Sequence, residues 1–196
     1  MANFKTIIRT LMFVFVVLFC ATTFYYYTEQ GNARAEANIP KLPDFEHTNN
    51  QQFIDNVVQC VNYIEHNTTD VYPVNLELLL AQAALESGWG NSRFARVGKN
   101  LFGIRTYDLK EPHMLPSNNP KKWGVKVYSH ECDSVLNYMQ VLNNGGAYEK
   151  YRELMNNGEN DPYILVETLD AYASDKYYFS KVKSILTKIR SEYAIK

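Results

Sequence analysis

Neither sign of charge dominates this chain: 21 acidic residues stand against 20 basic ones, for a formal net charge of −1. Without a basic excess, nothing supports a nucleic-acid partner. Histidine is scarce. His47, His66, His113 and His130 are scattered and lack the close pairing of a zinc site, so we expect no metal and no cofactor. Cysteine is scarcer still, with Cys20 in an N-terminal apolar run and only Cys60 and Cys132 beyond it. Sequence spacing leaves open whether these two form a bridge or stay as separate buried thiols. No internal repeat is present, which excludes solenoids and propellers. One further gap bears on chemistry: no carboxylate occurs from Pro112 to His130.

What is present begins with Lys5 and Arg9, followed by an unbroken apolar run from Leu11 to Ala21 that continues to Tyr25, Tyr26 and Tyr27. Basic residues before such a run place the N-terminus in the cytoplasm and the remainder outside. Ile7 to Tyr27 has the length of a spanning helix with tyrosines at the outer interface. Small-residue cleavage patterns at Ala33-Arg34-Ala35 and Ala35-Glu36-Ala37 lie far past the apolar core, which favours an uncleaved anchor over a removed signal. Bulky Phe19 before Cys20 argues against lipidation. Residues 1–28 are therefore read as a signal anchor or transmembrane segment. Residues 29–50, polar and broken by Pro40 and Pro43, are read as a linker. The folded domain is expected over 51–196, a length that suits a single core.

Within that domain Phe53, Val57, Val61 and Ile64 form a helical stripe. A second helix, capped by Asn75, carries Leu76, Leu79, Leu80, Ala83 and Ala84 and brings Glu86 to its last turn, where Gly88 and Gly90 end it. Partial desolvation and the negative end of the helix dipole both raise the pKa of such a carboxyl, which suits a general acid. From Asn100 to Tyr128 the pattern changes. Leu101, Phe102, Ile104 and Tyr107, a Pro- and Asn-rich turn through Pro112, Pro116, Asn118, Asn119 and Pro120, and an alternating Trp123 to Tyr128 predict a small irregular β-lobe. Helices follow, with Ser129, Asp161-Pro162 and Ser174 as expected starts and Gly145-Gly146 as a stop.

The run Glu86-Ser87-Gly88-Trp89-Gly90, with Asn100-Leu101-Phe102-Gly103-Ile104 close behind, resembles bacterial peptidoglycan N-acetylglucosaminidases of glycoside hydrolase family seventy-three, the Bax-type members above all. The likeness runs from about Phe53 to Arg190. It implies a mainly α, lysozyme-like domain with a small β-lobe across a cleft, acting on peptidoglycan glycan strands at the N-acetylglucosaminyl-β-1,4-N-acetylmuramic acid bond. The enzyme would then be an endo-beta-N-acetylglucosaminidase held on the inner membrane and facing the periplasm and cell wall, or exported after cleavage.

Glycoside hydrolysis asks for an acid and, in most families, a second carboxylate. Glu86 takes the first role. In the resembling family the second acid generally comes from the β-lobe, where this sequence offers only Asp108 and Glu111; Asp175 is a third choice. Where no second acid serves, the substrate's N-acetyl group can act as nucleophile with a polarising tyrosine, here Tyr172 or Tyr177. Trp89, Phe102, Tyr107 and Trp123 are candidates to hold pyranose faces. Two other readings are a lytic transglycosylase, which needs one acid but lacks the Asn-Leu-Phe-Gly-Ile pattern, and a non-catalytic wall-binding module.

Overall fold

The computed structural model describes residues 3–37, 39–70, 72–117, 122–172 and 175–195. They fall into two units, 1–40 and 41–196. The first is one helix, α1 (Phe4–Ala37). Within it Leu11–Gln30, with mean hydropathy 1.8, is long and apolar enough to cross a membrane. Side chains from Leu11 to Phe19 lie exposed. The helix outlasts the apolar run because the following polar stretch is rich in alanine and glutamate, good helix formers, and meets no proline before Pro40. The linker expected from 29 is thus helical at its start.

At its other end the expected linker is folded as well, since the compact unit begins at Lys41 rather than 51. Pro43 is buried, and its carbonyl accepts from His130 Nε2 at 3.0 Å. Glu46 O accepts from buried Asn56 Nδ2 at 2.9 Å, and His47 Nε2 bonds Trp89 O at 3.0 Å. The segment is polar but spends its backbone carbonyls on the domain, which no hydrophobic pattern announces.

Unit 41–196 contains α2 (Asn50–Asn67), α3 (Leu76–Ser87) and the short α4 (Arg93–Arg96). A three-stranded antiparallel sheet follows, of β1 (Arg105–Thr106), β2 (His113–Met114) and β3 (Gly124–Lys126) in the order β1-β3-β2. Then come α5 (Glu131–Asn144), α6 (Glu149–Asn156), α7 (Pro162–Leu165) and α8 (Tyr178–Glu192). The result is mainly helical with a small β-lobe, as expected. Asn118, Asn119 and Pro120 of the anticipated turn, and Ser174, lie outside the described residues.

The domain is built around α3, which packs against α2 and α8. Leu78, Leu79, Leu80, Ala81 and Ala83 are fully buried, so the helix is enclosed on all sides. Each of the three leucines contributes about 1.5–3 kcal/mol by leaving water. Asn75 caps the helix by accepting from Leu78 N at 2.9 Å, and its amide donates to Asn160 O at 2.9 Å. The partner face of α8 is Tyr178, Val182, Leu186 and Ile189, one side of an amphipathic helix.

The start of α2 meets the residues that follow α8. Gln51 Nε2 donates to Ala194 O at 2.7 Å, Ala194 N donates to Gln51 Oε1 at 3.0 Å, and Asn50 Nδ2 donates to Tyr193 Oη at 3.0 Å.

Helix α5 is capped by His130 instead of Ser129. Its Nδ1 accepts from Cys132 N at 3.0 Å while Asp133 accepts from His130 N, a reciprocal box built with an imidazole where a hydroxyl was expected. The first turn of α5 is also where the open question of the cysteines closes: Cys60 of α2 is bonded to Cys132, with Cα atoms 5.0 Å apart. The pair is separated by 72 positions, a span that encloses α3 and the whole β-lobe. For a loop of that size the chain-entropy argument gives about 4 kcal/mol. Unit 41–196 should therefore lose about 2–4 kcal/mol of unfolding free energy in urea titrations when reduced or when Cys132→Ser is introduced.

Candidate active site

Glu86 sits on the last turn of α3, and the residues after it explain why the helix stops there. Buried Ser87 bonds back to Ala83 O and accepts from Gly90 N at 2.7 Å. Gly88 is the left-handed cap, Trp89 follows at φ 56°, and Gly90 at φ 77°. A Cβ on Gly90 would lie 2.5 Å from the His47 ring and 3.0 Å from Phe53, so only glycine admits the folded N-terminal segment at this point. Trp89 is accordingly half-buried structure. Its ring packs 6.1 Å from Phe53 and 5.5 Å from Tyr193, and it is not among the residues that line the groove at Glu86.

The Asn100 to Ile104 turn supplies the facing wall. Asn100 is 1% exposed and satisfied in full: Nδ2 donates to Ile104 O and Lys126 O, and Oδ1 accepts from Phe102 N and Ile104 N. This side chain joins the turn to β3. Gly103, at φ 66°, would carry a Cβ 3.7 Å from Glu86 Oε2, so the carboxyl looks directly onto bare backbone. The two motifs thus meet at one carboxyl.

Glu86 is half-buried in a groove of about 550 Å³ lined among others by Phe102, Gly103, Arg105, Tyr107, Tyr172 and Asp175. Burial pushes its pKa above the ordinary glutamic range, opposed by a hydrogen bond from Tyr178 and by the charge of Lys181. Behind it runs a chain of buried groups. Tyr138 Oη donates to Gln82 Oε1, and Gln82 Nε2 donates to Tyr178 Oη at 2.6 Å. With the amide proton occupying its lone pair, the Tyr178 hydroxyl has its own proton left for Glu86. Gln82 is one turn before Glu86 and fully buried.

Of the other expected residues, the structure gathers some and disperses others. Tyr107 lines the groove and is exposed. Phe102 forms its floor, 2% exposed and stacked on Tyr138 at 4.2 Å, so it acts as support. Tyr172 also lines it, but its hydroxyl is committed to Phe102 O at 3.0 Å and burial pushes its pKa well up, which leaves no free phenol. Tyr177 is exposed on the surface, its ring under Lys176, and is not among the groove-lining residues. Trp123 stands beside Arg105, whose guanidinium lies 4.0 Å over its ring.

The β-lobe carboxylates do not share this groove. In the register Arg105↔Val125 and Thr106↔Gly124, Arg105, Val125 and Trp123 take one sheet face, while Thr106 and Lys126 take the other. Glu111 belongs to that other side: its Oε2 accepts from Thr106 Oγ1 at 2.9 Å and lies 3.7 Å from Lys126 Nζ. Asp108 accepts from Lys110 N at 3.0 Å in an exposed turn. Asp175 does line the groove. Lys181 Nζ at 2.5 Å and the Tyr177 amide hold its pKa below the usual carboxylate range.

The glucosaminidase family, described as mannosyl-glycoprotein endo-beta-N-acetylglucosaminidase, matches residues 65–191. The chain belongs to that family. A peptidoglycan hydrolase FlgJ of Vibrio parahaemolyticus is 34% identical over 135 residues, which is 60% of this chain and 42% of that one. The exo-glucosaminidase LytG of Bacillus subtilis is 28% identical over 127 residues, 60% of this chain and 45% of that one. This glucosaminidase-family chain thus spans less than half the length of either curated relative. Its fold is similar to the catalytic domain of the autolysin Auto from Listeria monocytogenes, with a TM-score of 0.54, 25% identity, and coverage of 83% of this chain and 94% of that domain.

Sequence reasoning missed Gln82 and Tyr178. The signal for the first was present, a lone amide at four residues before Glu86 inside an otherwise apolar helix. For Tyr178 none existed among 15 tyrosines.

Because the folded state raises the Glu86 pKa, it holds the proton more tightly than the unfolded chain. That contribution to stability is complete below the ordinary glutamic pKa and is lost as pH rises through the folded value. Glu86→Gln should therefore unfold at higher urea than the parent at about pH 8, with the two converging near about pH 3.

Proposed function

We propose that this chain is a peptidoglycan hydrolase that cleaves the N-acetylglucosaminyl-β-1,4-N-acetylmuramic acid bond, with Glu86 as general acid. The observation that carries this reading is the half-buried Glu86, its pKa raised, opening onto a groove rimmed by Tyr107 and Tyr172. Family membership and the activities for which the relatives are named support the substrate.

Two carboxyls whose pKa values are pushed apart within one groove divide acid and base work between them. Glu86 keeps its proton for the leaving oxygen. Asp175, held ionised by Lys181, directs water or steadies the developing oxocarbenium ion. The Tyr138-Gln82-Tyr178 chain holds the Glu86 carboxylate after proton release without neutralising it. Asp108, in an exposed turn, and Glu111, bonded to Thr106 and Lys126, drop in rank because neither lines the groove, and substrate assistance stands as the route if Asp175 proves dispensable.

The α1 run, with Lys5 and Arg9 before it, supports anchoring in the inner membrane with the domain on the outer, wall-facing side, and the Cys60–Cys132 bridge suits an oxidising compartment.

Mass spectrometry of sacculus digests should find fragments with reducing-end N-acetylglucosamine. Reducing or anhydro muramic ends would assign the bond or the reaction to a lytic transglycosylase instead, and no fragments at all would leave a wall-binding module. Glu86→Gln should lower turnover by about 10²–10⁴-fold, and Asp175→Asn by at least about 10²-fold if it is the partner. The alkaline limb of kcat/KM should follow the raised Glu86 pKa, falling as that carboxyl ionises.

A further inference from the structure

The groove holds one cation that the proposed chemistry does not use. Arg105 is exposed, lines the groove, and lies 4.0 Å over the Trp123 ring. Among the described residues it enters no ion pair; of the lobe acids, Glu111 is taken by Thr106 and Lys126 on the opposite sheet face, and Asp108 accepts from Lys110 N. Its charge is permanent. The remaining charges in the groove cancel or are absent: Asp175 is neutralised by Lys181, and Glu86 resists ionisation. The groove therefore presents one uncompensated positive charge, on a planar guanidinium whose orientation is fixed by an indole and whose edge is free for bidentate bonds.

A strand of N-acetylglucosamine alone has no group that needs such a charge. A muramyl strand does, either in the lactyl carboxylate of a bare sugar or in the carboxylates of its stem peptide. We infer that Arg105, stacked on Trp123, is a carboxylate-binding subsite that selects muramyl units in the groove. This rests on the hydrolase reading above and names the part of the substrate that fixes its selectivity. The position within the lobe suits the task. Arg105 and Tyr107 alternate on β1 and its extension toward the groove, so the ring of Tyr107 can cover a sugar face while Arg105 takes its acidic substituent.

The test uses the full chain in detergent with three probes: stem-bearing glycan strands, glycan stripped of its peptides so that lactyl carboxylates are free, and neutral N-acetylglucosamine oligomers. Dissociation constants are measured for the parent, Arg105→Gln and Arg105→Lys, and KM and kcat wherever turnover occurs. The expected result for Arg105→Gln is about tenfold or greater weakening on carboxylate-bearing strands, the scale of a lost charge-assisted hydrogen bond, with kcat within a few-fold. Arg105→Lys should recover part of the loss, and affinity for neutral oligomers should not change. Weakening confined to stem-bearing strands assigns the stem carboxylates. Weakening confined to stripped strands assigns the lactyl group, and weakening on both means that either is accepted. An Arg105→Gln protein that binds all three probes as the parent does, or that loses affinity for neutral oligomers by the same factor, overturns the inference while leaving the hydrolase reading intact. A parent chain that neither binds nor cleaves any of the three overturns the hydrolase reading itself.

Discussion

The protein places an ionisable carboxyl where both its surroundings and its helix resist charge, and much of the domain is arranged to tolerate that. Glu86 ends a helix enclosed on all sides, so its carbonyl end and the apolar core disfavour the anion together. Left alone, such a group would simply stay neutral. The buried Tyr138, Gln82 and Tyr178 behind it oppose this through the Tyr178 hydroxyl, and Lys181 adds a distant charge. Burial outweighs both, so the carboxyl holds its proton above the ordinary glutamic range, as a proton donor must.

That balance depends on geometry held by groups far from any chemistry. The left-handed turn after Ser87 stops α3 at the residue that puts Glu86 over Gly103, and the satisfied amide of Asn100 fixes the loop on which Gly103 stands. The small sheet then sorts charges by pleat. Residues facing the groove supply a cation and aromatic rings, while the reverse face gathers Glu111, Thr106 and Lys126 into a network of its own. A single step in register would exchange these two sets.

Much of this was legible in the sequence where a residue type has one local meaning. Asn75, Gly88 and the Asp161-Pro162 pair cap helices as their chemistry dictates. The apolar period of α3 and the paired motifs were enough to place Glu86 and to name the family. Illegible were features created by long-range contact. Gln82 and Tyr178 are 96 positions apart, and neither composition nor spacing relates them. The sheet face that Glu111 takes, opposite Arg105, depends on the pleat of strands two or three residues long, too short to show alternation. The folded segment from Lys41 was mistaken for linker because polarity, when its carbonyls are used by His130 and Asn56, says nothing about order.

The mutual amide bonds between Gln51 and Ala194, with Asn50 on Tyr193 beside them, tie the start of α2 to the residues that follow α8. A helical body whose first and last helices are tied in this way behaves as a cassette. It can be spliced into a loop of a host chain, or have its ends joined and a new opening cut elsewhere, without stretching the core. The same tie means that chain added after α8 leaves from beside the start of α2, so such a protein can be lengthened there while the groove around Glu86 keeps its walls.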